Sequence, residues 1–321
     1  MDRPYVVGMD IGGTNTVFGI VDARGNILSV DSIKTQAYKE FGDYVAAVAE
    51  KLIPMIEAVG GTNKIKGMGI GAPNGNYHTG NIEHSANLPW KGIVPLGWLI
   101  EKKTGLPTKV TNDANAAAIG EMIYGVARGM KNFIVLTLGT GVGSGIVIDG
   151  KLYYGKNGFA GEFGHIPFFD NETICACGKK GCLETEVSGI AIEEKIVKLI
   201  KSGVNTILRD KYDRGERIHI DDIIAAAQND DNLSIELIEE VGEKLGKAVA
   251  FLINTFNPET VIVGGNLAAA GDYIMLPLKS STNKYSLNLV YKDTKFRQSK
   301  MSENANAWGV AMLIHNKIIG L

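Results

Sequence analysis

The chain is poor in cysteine, in net charge and in long apolar runs, and each shortage removes a class of protein. Only three cysteines occur in 321 residues, all within positions 175–182. An odd, clustered set cannot form a disulfide framework without leaving a thiol over. The formal net charge is −2, with Lys and Arg scattered along the chain. No basic stripe therefore marks a nucleic-acid footprint, and there is no acidic tail. No apolar run approaches the roughly 20 residues that span a bilayer. The N-terminus MDRPYVVGMD lacks the basic head and apolar core of a signal peptide. A cytoplasmic address is expected, a reducing place where clustered cysteines stay thiols or bind metal. Neither a nucleic-acid nor a membrane partner is expected.

What is present is a soluble globular composition, 45% hydrophobic and 21% charged, on a chain long enough for two buried cores. YVVGMDI (5–11), GGTN (12–15) and TVFGIVD (16–22) read as strand, glycine-rich turn and strand. NFIVLTL (132–138), GTGVGSG (139–145) and IVID (146–149) repeat that order, which suggests a duplicated two-domain architecture. Helical patterns at 40–60, 95–104, 114–125, 188–203, 219–230 and 233–256 alternate with strands at 64–73, 107–112 and 259–265. A last apolar-periodic segment reads as a terminal helix. Alternating strands and helices indicate α/β layers.

Neither glycine loop is a Walker or Rossmann turn, because each feeds a strand where those feed a helix. Glycines let backbone N–H groups approach an anion, and Thr14, Asn15 and Thr140 add side-chain donors. Asp10, just before the first turn, is placed to bind Mg²⁺ directly or through water. A tight hairpin is the plainer reading of either loop alone. The first loop has no Lys or Arg, so charge compensation would lean on Mg²⁺ and backbone N–H groups. Arg128 and Lys131 are candidates to assist or simply solvated surface. Gly264 and Gly265 end a buried strand, where a flat base could stack on bare backbone.

His165, Cys175, Cys177 and Cys182 supply one nitrogen and three sulfurs, the donor set of a closed tetrahedral zinc site. No position is left for water, so such a zinc would be structural. Metal-bound imidazoles usually donate their second N–H, which would leave His165 one ring nitrogen free to donate away from the metal.

LGTGVGSGI, GKNGFAGEFGH and CACGKKGCLE, together with DIGGTN, TNDANAAAIGE and NPETVIVGGN, resemble the ROK family (repressors, open reading frames and sugar kinases) over the whole chain. The resemblance implies an α/β, two-domain actin-like (ribonuclease H-like) sugar kinase fold with an interdomain cleft. It implies a small domain over 1–111 joined by a terminal helix over 302–321. A large domain over 112–301 would carry the second loop, the zinc knuckle and a helical segment. The implied nucleotide and Mg²⁺ residues are Asp10, Gly12, Gly13, Thr14, Asn15, Gly139, Thr140, Gly141, Gly264 and Gly265. Asp113 matches the family's general base, although a plain helix N-cap is the reading of an Asp at that position without the family. Asn112, Asp113, Glu162, His165 and Glu184 match sugar contacts. Asn87 in SANLPW and Gly75 in APNGN are added, and Pro73-Asn74-Gly75-Asn76 departs from the family's Pro-Gly turn.

The implied cofactors are ATP, Mg²⁺ and structural Zn²⁺. The wording TNDANAAAIGE is most similar to bacterial glucokinases, which implies transfer of phosphate to the 6-hydroxyl of glucose at the head of glycolysis. N-acetylmannosamine, N-acetylglucosamine, mannose or fructose are alternative substrates. A sugar-sensing repressor is the rival from another class. It would need a helix-turn-helix ahead of the first loop, and Asp10 leaves no room for one. A dimer or tetramer is also expected by resemblance.

Overall fold

The computed structural model describes residues 3–22, 24–85 and 87–301. They form two compact α/β units. One holds the chain up to Lys131 together with Gly145–Gly161, and the other holds Asn132–Ser144 and Glu162–Lys300. The opening segment of the first unit runs through Lys131, where the sequence reading places a boundary at 111/112. The terminal helix expected over 302–321 lies outside the described residues.

In the first unit, β1 (Tyr5–Ile11), β2 (Asn15–Asp22) and β3 (Ile27–Lys34) make an antiparallel meander. Helix α1 (Phe41–Ala58) leads to β4 (Ile65–Ala72). A small hairpin, β5 (Ile82–Glu83) and β6 (Ile93–Val94), and α2 (Leu96–Thr104) lead to β7 (Thr108–Asn112). The sheet order is β3-β2-β1-β4-β7, with β4 parallel to β1 and β7 parallel to β4. Strand β4 is buried along nearly its whole length, as a central parallel strand must be. Helix α1 buries Tyr44, Val48, Leu52 and Ile56, a stripe at i+4 spacing, among Met9, Phe18, Ile70 and Trp90. Helix α3 (Asp113–Ile123) packs on β4 and β7, which keeps it in this unit.

The second sheet runs β10-β9-β8-β11-β12, built from β8 (Phe133–Leu138), β9 (Val142–Ile148), β10 (Lys151–Leu152), β11 (Thr260–Gly264) and β12 (Lys295–Gln298). Meander strands occupy one side and parallel strands the other, the same order as in the first sheet. One of the passages of the chain between the two units falls within β9, at Ser144/Gly145. Helices α4 (Glu184–Val187), α5 (Gly189–Lys201), α6 (Arg209–Asp213) and α7 (Ile220–Gln228) precede the long α8 (Asn232–Phe256). After β11 come α9 (Asp272–Tyr285) and α10 (Asn288–Asp293).

Helices α8 and α9 cross closely because Gly242 and Gly246 have no side chains. A Cβ on Gly246 would lie 2.4 Å from the Leu278 carbonyl oxygen, and one on Gly242 2.6 Å from that of Ile274. No helix among the described residues is long and apolar enough to cross a membrane.

Candidate active site and metal centre

In the first unit the site begins where parallel strands end. Asp10 pairs in register with Gly71, Gly71 with Thr111 and Ala72 with Asn112. Asp10 and Asp113 thus sit at the same edge, at the C-terminal ends of β1 and β7, with the side-chain-free Gly71 on the strand between. Ligands of α/β sheets bind at such edges. Asn112 is the N-cap of α3, and its Oδ1 accepts the Asn115 N–H at 2.8 Å. Asp113 accepts the N–H of its neighbour Ala114, at 2.9 Å. The capping role open to Asp113 in the sequence is taken by Asn112.

Burial and the charge of Asp113 push the Asp10 carboxyl up to about 7. Burial likewise raises Asp113 above the usual carboxylate range. Two desolvated carboxylates that disfavour each other's ionisation suit a divalent cation.

The first glycine turn is closed by Gly12 N–H donating to Asn15 O at 2.9 Å, so that donor is used within the hairpin. A Cβ on Gly13 would lie 3.2 Å from the Asn87 carbonyl oxygen, which brings Asn87 against the loop. Gly75 is buried, and a Cβ there would lie 2.3 Å from the Thr111 carbonyl oxygen. Its lack of a side chain therefore has a packing reason. Beneath the loop, the Thr16 hydroxyl lies 3.0 Å from both the Thr35 hydroxyl and the Tyr44 phenol, a buried chain of hydrogen bonds.

In the second unit the Gly139–Gly141 turn is closed by Gly139 N–H donating to Gly141 O at 3.0 Å. Val142 N–H donates to Glu184 Oε2 at 2.9 Å, and Glu184 Oε1 accepts from Cys175 Sγ at 3.7 Å. Glu184 thus ties the second glycine loop to the cysteine cluster, a link no sequence pattern showed. Gly265 has φ +83°, and a Cβ would lie 2.3 Å from the Leu138 carbonyl oxygen, so only glycine fits there.

The donor atoms of His165, Cys175, Cys177 and Cys182 all lie within 4.8 Å of one another. His165 Nδ1 is 3.5 Å from Cys175 Sγ, and Cys177 Sγ is 3.6 Å from Cys182 Sγ. Edges of a tetrahedron with zinc–sulfur bonds near 2.3 Å are about 3.8 Å, so the residues fit a zinc ion, and the sulfurs are too far apart for a disulfide. Desolvation first of all raises the Cys175 thiol, to about 12, so metal binding there would release a proton. The knuckle is shaped by Cys175 N–H donating to Lys179 O and by glycines at φ +84° (Gly178) and +74° (Gly181). His165 Nε2 faces Glu162 Oε2 at 3.8 Å. That leaves Nδ1 toward the cysteine sulfurs and Nε2 beside the carboxylate.

The profile of the ROK family matches residues 6–317. The chain belongs to the ROK family. The glucokinase of Halalkalibacterium halodurans is 35% identical over 319 residues, covering 98% of this chain and 95% of that protein. A crystal structure of a ROK family glucokinase from Streptomyces griseus, in complex with glucose and AMPPNP, matches with a TM-score of 0.81 at 30% identity. That match covers 96% of this chain and 98% of that one. A ROK family transcriptional regulator, homolog of the E. coli MLC protein, matches with a TM-score of 0.87 at 28% identity, over 98% of this chain and 78% of that one. The fold is the mixed α/β, actin-like fold of ROK sugar kinase structures. ROK members thus include enzymes and regulators.

Proposed function

We propose that the chain is an ATP-dependent sugar kinase, and within that class a glucokinase acting on the 6-hydroxyl. The observation that carries the reading is Asp113, a desolvated carboxylate at a strand end that its helix does not need as a cap. The raised affinity of Asp113 for a proton suits a general base. In the reaction the sugar O6 forms a bond to the γ-phosphorus and the bond from that phosphorus to the bridging oxygen of ADP breaks. Asp113 takes the hydroxyl proton and later returns it to solvent.

Asp10 would hold Mg²⁺, which when bound neutralises phosphate charge. Gly13 to Asn15 and the Gly139–Gly141 turn would hold phosphates, and Gly264 and Gly265 the adenosine. Asn112, Glu162, His165 and Glu184 would orient the sugar, with Gly75 and Asn87 as further candidate contacts. Zinc on the cysteine cluster would fix the loop bearing Glu162 and His165. The 35% identity to a named glucokinase over nearly the whole chain supports glucose over other hexoses and N-acetylhexosamines.

The test is ADP release with Mg-ATP over a panel of glucose, mannose, fructose, N-acetylglucosamine and N-acetylmannosamine. Turnover highest on glucose is expected, and no turnover on any sugar with zinc-replete protein defeats the kinase reading. A second reading, a sugar-responsive regulator, draws on the 0.87 TM-score to such a protein. It requires sugar binding without phosphoryl transfer.

A further inference from the structure

The first glycine loop carries no cation of its own, yet the structure places one beside it from another strand. In the β2–β3 register Asn15 faces Lys34, and the Lys34 ammonium donates to Asn15 Oδ1 at 2.8 Å. Two further bonds stitch the same segment to the loop. Thr35 N–H donates to Thr14 O at 2.9 Å, and Gln36 Nε2 donates to Gly13 O at 2.6 Å. Lys34 to Gln36 therefore form a second wall along Gly13 to Asn15, anchored below by the buried Thr35–Thr16 hydroxyl pair.

Lys34 is exposed and, among the described residues, has no carboxylate partner. Its contrast is Lys51, which spends its charge on Asp31 of the same strand β3 at 2.9 Å. An ammonium has three donors, and Asn15 occupies one. The other two are held, unneutralised, beside the first glycine turn.

We propose that Lys34 is a phosphate-binding residue, supplying to the outer phosphates of the nucleotide the positive charge that the glycine loop lacks. This rests on the kinase reading above. Holding Asn15 keeps the ammonium at the loop and costs it no charge. Its side chain would then share the neutralisation of phosphate with the cation that Asp10 would hold.

The experiment is calorimetric titration of the Mg²⁺ complex of a non-hydrolysable ATP analogue, with adenosine as control, into wild type, Lys34→Gln and Lys34→Arg. Glutamine can still donate to Asn15 but carries no charge. Lys34→Gln is expected to weaken the analogue about tenfold or more, the scale of a charge-assisted hydrogen bond. Lys34→Arg should retain most of the affinity, and adenosine should bind all three alike. The salt dependence of analogue binding should be shallower in Lys34→Gln than in wild type. Wild-type affinity in Lys34→Gln overturns the proposal, as does an arginine variant as weak as the glutamine one, which would reduce Lys34 to a spacer for Asn15. A wild-type chain that binds no triphosphate removes the kinase reading itself, an outcome distinct from equal binding by wild type and variant.

Discussion

Asn112 caps the helix that Asp113 begins, its side-chain oxygen accepting the Asn115 N–H at 2.8 Å. The division of labour between these neighbours separates two effects that a sequence merges. Asp113→Asn is expected to lower kcat by about 10²–10⁴-fold, the contribution of a general base. Sugar affinity and melting temperature should stay near wild type. Activity retained in that variant removes Asp113 as the base.

Asn112→Ala, by contrast, is expected to cost about 1 kcal/mol of stability through the lost cap. Denaturant titration measures it. An unchanged midpoint would mean that water caps α3 equally well.

Asp10 carries a pH dependence whose sign is set by burial. Its folded pKa of about 7 lies above the 3.8 of an ordinary Asp, so the folded chain holds the proton more tightly than the unfolded chain. The stability this contributes is complete below about pH 4 and is lost as pH rises through 7. Without Mg²⁺ and nucleotide, Asp10→Asn should therefore match wild type near pH 4 and exceed it by roughly 2–4 kcal/mol at pH 8. Added Mg²⁺ should narrow the gap at pH 8 by stabilising wild type alone. Melting curves across pH check it, and a gap independent of pH contradicts the assignment.

Elemental analysis should find one zinc per chain. Stripping it with a chelator is expected to lower the melting temperature and raise the KM for sugar. Cys177→Ser should reproduce both effects. Full activity and unchanged melting in metal-free protein would remove the metal from the account.

Gly246→Ala tests the crossing of α8 and α9. The added methyl would stand 2.4 Å from the Leu278 carbonyl oxygen, a backbone atom that cannot swing away. A loss of about 1–3 kcal/mol is expected, read from the denaturation midpoint, against the small gain that Gly→Ala gives inside an uncrowded helix.

The α/β class, both glycine loops and the long helix through 233–256 were legible in the sequence, because local periodicity and turn residues encode them. The clustering of His165 with the three cysteines was legible too, since the four lie within eighteen residues of one another. Helix α9 was not, because Pro277 and a polar run interrupt its pattern, and burial against the glycines of α8 is what makes it a helix. Strand β12 was equally silent, a short KFRQ segment that becomes a strand by pairing with β11.

The sequence by itself determined which side chains are available to the site: Asp10 beside the first turn, Asp113 at a strand-to-helix step, and three cysteines with one histidine. Only the tertiary structure decided how they are employed. Strand register set Lys34 against Asn15, 19 residues apart. Parallel strand order brought Asp10 and Asp113 to one sheet edge, and burial raised both carboxyls. A fold-long contact joined Glu184 to Val142. The reason is physical: periodicity and turn propensity act over a few residues, whereas register, desolvation and charge coupling depend on which distant segments share an edge.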